Sequence, residues 1–272
     1  MTTPLSEAAL ARFESFACDL ARLAAGETLP RFQASIETVN KAAPGQFDPV
    51  TAADRGAEAA IRAHIAAHFP DHGVIGEEYG EDRPEAEFVW VLDPVDGTRA
   101  FISGLPLWTT LIALRYQGVP VVGVIAQPCL DEIFAGTRLG ATRHRRGETK
   151  VIRVRDCADL THALIATTDP YLFTPAELGA FNQVRDTVRL CRFGCDAYAY
   201  AMVASGHMDM VIENYMIKPW DVEAAIPLLE GAGGLVTDWR GEPIGPRGGQ
   251  MVISANRTIL DQALVALRRS AL

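Results

Sequence analysis

The stretch Trp90-Val91-Leu92-Asp93-Pro94-Val95-Asp96-Gly97-Thr98 constrains this chain more than any other. Phe88 to Leu92 is a short run of aromatic and branched residues, which predicts a buried strand, and the run ends in acid. Asp93 and Asp96 are separated by a proline that fixes φ and followed by a glycine that lets the backbone turn closely, so both carboxylates can be aimed at one point. Such a pair suits a hard cation. Mg²⁺ takes oxygen ligands and usually arrives with a phosphate, which the amides of Gly97 and Thr98 would hold if a helix starts there. An isolated Asp-Pro or Asp-Gly is more often a strand end closed by an Asx-turn, so the block alone leaves both accounts open.

A chain of 272 residues is long enough for one large domain or two of ordinary size. Its 49% hydrophobic and 22% charged residues are ordinary for a soluble globular protein. The formal net charge of −9 argues against nucleic acid as a partner, because phosphate backbones need a basic surface, and favours a bound cation. Five cysteines with no C-x-x-C pair predict reduced thiols. The N-terminal residues carry no basic segment before an apolar core, and no apolar run reaches membrane-spanning length. A cytoplasmic protein without a membrane partner is expected.

In chain order, Leu5 to Ala25 carries apolar residues at helical spacing, with Gly26 as the expected stop. Thr51 and Asp54 have the form of a capping box opening an Ala-rich helix that ends before Pro70. Asp54 is thereby explained as a cap, whereas Asp48, in the loop upstream, is not. His64 and His68 on that helix have a spacing seen in zinc sites, but without a clear third ligand they read as surface histidines. Gly73 to Gly76 reads as a short strand ending in Glu77 and Glu78, and Glu78 belongs with the acids of a solvated loop. Glu77 ends its strand much as Asp93 does, so two neighbouring strand ends would deliver carboxylates to one place.

Thr109–Arg115, Val119–Gln127 and Glu132–Thr137 predict an antiparallel meander. Leu139 to Arg155 is an island of basic charge, which reads as a solvated hairpin around Gly147. From Ala163 the pattern changes to alternating strands and helices: Leu164–Thr167, a helix Pro175–Arg189, a helix Gly194–Ser205, a strand Met208–Glu213. Pro219-Trp220-Asp221 places Asp221 at a helix N-terminus, where an acid is favoured by the dipole, and Pro227 should kink or shorten that helix. Two parts are expected, residues 1–155 carrying the strand-end acids and 156–272 an α/β half, joined in one compact unit.

Together these residues resemble the inositol monophosphatase superfamily of metal-dependent phosphatases. The resemblance rests on Asp48-Pro-Val-Thr-x-x-Asp54, Gly76-Glu77-Glu78, Asp93-Pro-Val-Asp-Gly-Thr98, Gly194 with its helix, and Trp220-Asp221 leading to Gly231–Gly234. These stand in the family's order over nearly the whole chain. The resemblance implies an α+β fold, the layered α-β-α-β-α sandwich of the inositol monophosphatase and fructose bisphosphatase type, assembled as a homodimer. It implies two or three Mg²⁺ per site, with Glu77, Asp93 and the Val95 carbonyl as ligands of the first and Asp93, Asp96 and Asp221 as ligands of the second. Gly97 and Thr98 match the phosphate-holding backbone, and Asp48 the acid that hydrogen-bonds the threonine and helps orient the attacking water. Catalysis is thus expected from Asp48, Glu77 and Thr98 on a small phosphorylated substrate.

Within the superfamily, Phe101–Gly104, Gly194–Ala201 and Ile217–Asp221 look more like the histidinol-phosphate phosphatase branch than the inositol branch. Asp196 is either the partner of a cationic substrate group or the cap of the helix after Gly194. Where the family has a substrate-binding Glu seven residues before the Trp-Asp aspartate, this chain has Asn214, with Glu213 beside it. Either the strand shifts so that Glu213 serves, or that contact is weaker. An inositol-1-phosphate or broad sugar-phosphate phosphatase is the alternative, and some relatives act as regulatory binding proteins.

Overall fold

A computed structural model describes residues 4–34, 38–40 and 49–272 of the chain. Helix α1 (Glu7–Thr28) is capped by Ser6, whose hydroxyl accepts from the Ala9 amide. It runs through Gly26, the expected stop. A single glycine costs a helix only ~1 kcal/mol, and Ala24 and Thr28 on either side of it lie on the buried face. Strands β1 (Thr38–Asn40) and β2 (Pro49–Thr51) pair antiparallel and lead into α2 (Ala52–His68). The capping box forms: the Ala53 amide donates to Thr51 Oγ1 (3.0 Å), and the Thr51 amide to Asp54 (2.9 Å). His64 and His68 pack around Phe16, at ring-centroid distances of 5.3 and 5.4 Å.

The first half then builds one large sheet from β3 (Gly73–Gly76), β4 (Gly80–Asp82), β5 (Phe88–Asp96), β6 (Thr109–Tyr116), β7 (Val119–Gln127), β8 (Glu132–Thr137), β9 (Gly140–Arg145) and β10 (Glu148–Val151), with the short helix α3 (Thr98–Ile102) after β5. Its strand order is β10-β9-β8-β7-β6-β5-β3-β4, and the one parallel pair is β3 with β5. The three expected strands after Gly104 are the meander β6-β7-β8, and the basic segment is the hairpin β9-β10 turning at Arg146-Gly147.

The second half supplies β11 (Leu164–Thr167), α4 (Pro175–Arg185), β12 (Leu190–Phe193), α5 (Asp196–Ala204), β13 (Met210–Glu213), α6 (Pro219–Val222), α7 (Ala225–Ala232), β14 (Leu235–Thr237), β15 (Met251–Ser254) and α8 (Arg257–Leu267). Its five strands lie in the order β12-β11-β13-β15-β14. Two expected helices are shorter than their apolar patterns. α4 stops at Arg185, and residues 190–193 of the next segment are needed as an edge strand beside β11. The run around Pro227 splits into α6 and α7, which leaves the proline in the first turn of α7, where a missing N–H breaks no helical bond.

Period-two alternation sorts the large sheet's side chains into two faces. Trp90, Leu92, Ile112, Leu114, Val122 and Val124 pack under α1 and α2, while Val89, Val91, Leu111, Ala113 and Ile125 join the core that contains α5 and α7. The five-stranded sheet lies on the far side of α5 and α7, and α4 and α8 close the molecule. The layers are therefore helix, sheet, helix, sheet, helix, the expected α+β sandwich. Among the described residues no helix is long and apolar enough to cross a membrane.

Candidate active site

A cavity of about 320 Å³ opens where the carboxyl ends of β3 and β5 meet β11, β13 and the N-termini of α5 and α6. Glu77, Asp93, Val95, Asp96, Gly97, Thr98, Asp196, Glu213 and Asp221 all line it. The remaining expected site residue, Asp48, lies outside the described residues.

How β5 brings its two acids to one side is a matter of register. Residues three apart on a regular strand point to opposite faces. Here Asp93 pairs with Leu111 but Asp96 with Thr109, so β5 carries one extra residue between them. This bulge at Pro94-Val95 returns Asp96 to the face of Asp93, and proline is tolerated there because it has no ladder bond to give. The Pro94 carbonyl accepts from Thr110 Oγ1 (2.8 Å), and the Val95 amide closes an Asx-turn onto Asp93 Oδ1 (3.0 Å). Thus the Asx-turn and the convergent acids, alternatives for an isolated motif, coexist. Gly97 then adopts φ +80°, a left-handed conformation that favours glycine, and α3 starts at Thr98. The Thr98 hydroxyl donates to the Val95 carbonyl (3.2 Å).

The second half locks onto this corner. Asp96 Oδ2 accepts from Thr109 Oγ1 (3.0 Å) and from the Ala197 amide at the start of α5 (2.8 Å), so an acid of the first half satisfies a helix N-terminus of the second. Asp196 is not the cap of its helix. It takes φ +44° as the first residue of α5, Cys195 occupies the cap position, and the Asp196 carboxylate faces Gly97 closely enough that a Cβ there would stand 2.9 Å from its Oδ2. Asp221 does bond locally, accepting from the Lys218 amide (2.7 Å), while also lining the cavity. Arg99 and Asp169, unmarked in the sequence, pair between the two halves at 3.2 Å.

Glu213 is 2% exposed, and its oxygens accept from Thr167 Oγ1 (3.2 Å), the Thr168 amide (3.0 Å) and Thr168 Oγ1 (3.0 Å). Asn214 is also on the wall, with its side-chain oxygen accepting from the Met216 amide (2.7 Å). Thr168 and Tyr200 reach the cavity without being expected there. The sequence does carry a signal for each: Thr168 follows a strand end, as Glu77 does, and Tyr200 lies one helical turn beyond Asp196. Glu78, expected in a solvated loop, instead buries its side chain beside Arg55 (3.9 Å).

The electrostatics are one-sided. Six carboxylates line the cavity, and Lys218 is the one basic side chain on its wall among the described residues. Burial, and then repulsion from Glu77, Asp96 and Asp221, holds Asp93 well above the usual carboxylate range. Burial and the neighbouring Asp196 do the same to Asp96. Burial pushes Asp196 up to about 6, although a hydrogen bond with Thr168 and the nearby Arg99 pull the other way. Glu213 is pushed up to about 8 by burial, against its bonds to Thr168. Buried acids facing one another without matching basic groups are the donor chemistry of a hard divalent cation. Among the described residues no three His, Cys, Asp or Glu side chains already stand close enough together to hold a metal ion.

Residues 9–272 match the family described as the inositol monophosphatase family. The chain belongs to that family. It is 43% identical over 241 residues to the Arabidopsis thaliana protein named bifunctional phosphatase IMPL2, chloroplastic, covering 88% of this chain and 67% of that one. It is 36% identical over 219 residues to a histidinol-phosphatase of Chlorobaculum parvum, covering 80% and 83% of the two chains. Among solved structures, an inositol monophosphatase from Zymomonas mobilis superposes with a TM-score of 0.85 at 39% identity, over 96% of this chain and 99% of the other. Like other members of the inositol monophosphatase family, the protein is a phosphatase acting on a small phosphorylated substrate.

Proposed function

We propose that this phosphatase is a Mg²⁺-dependent phosphomonoesterase that hydrolyses L-histidinol phosphate to L-histidinol and phosphate, a step of histidine biosynthesis. The observation that carries the substrate is Asp196, a carboxylate that the second half places on the cavity wall beside Asp96 and against Gly97. A phosphate held at Gly97 and Thr98 would leave the organic part of its ester near Asp196, where an ammonium or imidazolium group gains a charge-assisted hydrogen bond and a neutral polyol gains less. The similarity to the Chlorobaculum parvum histidinol-phosphatase supports the same reading.

In this reading residues 1–155 supply the phosphate-holding backbone and most of the metal ligands, and residues 156–272 choose the substrate and add Asp221 to the ligand set. Glu77, Asp93 and the Val95 carbonyl would hold one Mg²⁺, and Asp93, Asp96 and Asp221 a second, with two or three ions per site. Bound there, Mg²⁺ would neutralise phosphate oxygens, lower the pKa of a water and stabilise the leaving alkoxide during in-line displacement. The backbone of Gly97 and Thr98 holds the phosphate, and Asp48 acts with Thr98 and Glu77 to orient the water that attacks it. Glu213 braces Thr168 and meets substrate only by exchanging one of its present bonds. Five free cysteines and a net charge of −9 accord with a cytoplasmic protein that binds neither nucleic acid nor membrane, and the family resemblance implies a homodimer.

The inositol-1-phosphate reading is favoured by the Zymomonas mobilis structure. Phosphate release from histidinol phosphate and from inositol-1-phosphate, each with Mg²⁺ and with EDTA, separates the two. A large EDTA-sensitive preference for histidinol phosphate is expected. Preference for inositol-1-phosphate keeps the chemistry and discards Asp196 as a cation partner, whereas EDTA-resistant turnover discards the metal.

A further inference from the structure

We infer that Glu58, a residue of α2 that does not reach the cavity, is the positioning residue that sets where Glu77 stands, an inference that rests on the metal role proposed for Glu77. Glu58 is 0% exposed. A fully buried carboxylate is costly unless its oxygens are hydrogen-bonded, so what Glu58 touches shows what it is kept for. Its Oε2 accepts from the Glu78 amide at 2.8 Å, and its Oε1 from the Tyr79 amide at 3.2 Å. Both amides belong to the turn between β3 and β4, directly after Glu77. Arg62, one helical turn along α2, donates through Nε to Glu58 Oε1 (2.8 Å) and through a terminal nitrogen to the Gly80 carbonyl.

The turn is therefore clamped from beneath at both ends by one helix. Its amides are held by Glu58 and its last carbonyl by Arg62. Above the clamp, Glu77 is tied to the sheet by its own amide, which donates to the Leu92 carbonyl at 3.2 Å, one residue before Asp93. Gly76 shows how closely the clamp is set. A Cβ at Gly76 would lie 2.1 Å from Glu58 Oε1, so the glycine before Glu77 is the space that the carboxylate occupies. A β-ladder bond and a carboxylate underneath the turn thus both help to set where Glu77 stands relative to Asp93. The second, unlike the ladder bond, can be removed by changing a side chain. Groups that orient metal ligands from outside the ligand set typically change affinity by roughly 10- to 100-fold when removed.

The experiment compares wild type with Glu58→Gln, which keeps the shape but cannot accept on both sides, in the full chain. Mn²⁺ binding to the metal-free protein is followed by EPR of the free ion, alongside Mg²⁺ activation of p-nitrophenyl phosphate hydrolysis and thermal melting. Mn²⁺ affinity should weaken roughly 10- to 100-fold, half-activating Mg²⁺ should rise by the same factor, and kcat at saturating Mg²⁺ should recover to within about threefold. Wild-type Mn²⁺ affinity in a variant that merely melts lower would overturn the inference and leave Glu58 a structural residue. Should Glu58→Gln fail to fold, Arg62→Gln, at a partly exposed side chain, decides by the same reading. It should weaken Mn²⁺ binding roughly threefold, and unchanged affinity counts against the clamp. A wild-type protein that takes up no Mn²⁺ overturns the metal reading itself and this inference with it, an outcome distinct from a variant that binds like wild type.

Discussion

The two walls of the cavity are held by different kinds of bond. On the first-half wall, Asp93 and Asp96 are aimed by backbone geometry: a bulge in β5, an Asx-turn and the left-handed Gly97. On the second-half wall, Glu213 is held by the Thr167 and Thr168 hydroxyls and the Thr168 amide, Asp196 stands beside Thr168, and α5 is anchored by Asp96 from the opposite wall. Backbone geometry is intolerant of change and independent of what the pocket holds. Side-chain bonds can be exchanged one at a time. In the function proposed above, the first wall suits the chemistry at the phosphate and the second wall suits the choice of substrate.

The largest effect is expected at the donor set the two walls share, Asp93 on the first and Asp221 on the second. Asp93→Asn and Asp221→Asn each remove a charge from the donor set, and turnover should fall by at least about 10²- to 10³-fold, the scale of losing a preorganised electrostatic group. The fold should survive, and metal-free Asp93→Asn should melt higher than metal-free wild type, because the substitution relieves the repulsion from Glu77, Asp96 and Asp221. Phosphate release with calorimetric melting tests both halves of the statement. Full activity in either variant would remove the metal assignment.

At the second wall the effect should be smaller and selective. Asp196→Ala loses one charge-assisted bond, about 1.5–3 kcal/mol, or roughly 10- to 100-fold in KM for a cationic phosphate ester. A neutral sugar phosphate should change much less. Equal shifts for both would make the two walls alike in function and reduce Asp196 to a structural group.

The same contrast explains which residues the sequence makes legible. Asp93, Asp96, Glu77 and Asp221 announce themselves because each stands within two residues of a Gly or Pro at the margin of an apolar run or a helix, although β5 itself runs on through Asp93 to Asp96. The bulge that unites Asp93 with Asp96 is a matter of pairing with β6, and no property of β5 in isolation reveals it. Asp96 capping α5 is a contact 101 residues long in sequence, so the sequence alone leaves Asp196 between cap and cation partner. Helix ends depart from the local pattern where tertiary contacts outweigh it: α1 passes Gly26, and α4 ends at Arg185 so that residues 186–189 can turn the chain into β12. Glu58 is one acid among many on an Ala-rich helix. Its importance lies in the turn above it, which helical periodicity does not describe.

Glu213 tests whether the second wall depends on exchangeable bonds. Its carboxyl is held at about 8 by burial, above the ordinary 4.5 of an unfolded glutamate. A raised folded pKa favours the native state fully below the unfolded value, and this contribution is lost as pH rises through the folded one. Metal-free wild type should therefore lose stability between about pH 4.5 and 8, and Glu213→Gln should lose less, since an amide does not titrate. Melting curves across that range would show parallel profiles if Glu213 were ionised throughout.

The smallest effect is the control for the whole comparison. Thr174 caps α4 in a capping box with Glu177: the Glu177 amide donates to Thr174 Oγ1 (3.3 Å), and the Thr174 amide to the Glu177 carboxylate (2.9 Å). Glu177 is almost fully buried and also accepts from the Tyr215 amide (3.1 Å), at the base of the loop that carries Met216, Ile217 and Lys218 to the cavity. Thr174→Ala should cost about 1 kcal/mol of stability, the usual loss for an N-cap, while leaving the Glu177 bond to Tyr215 in place. kcat and KM should then match wild type. A KM shift without a kcat shift would mean that the outer helix layer also tunes the second wall, and that substrate choice is spread through α4 rather than confined to the residues facing the pocket.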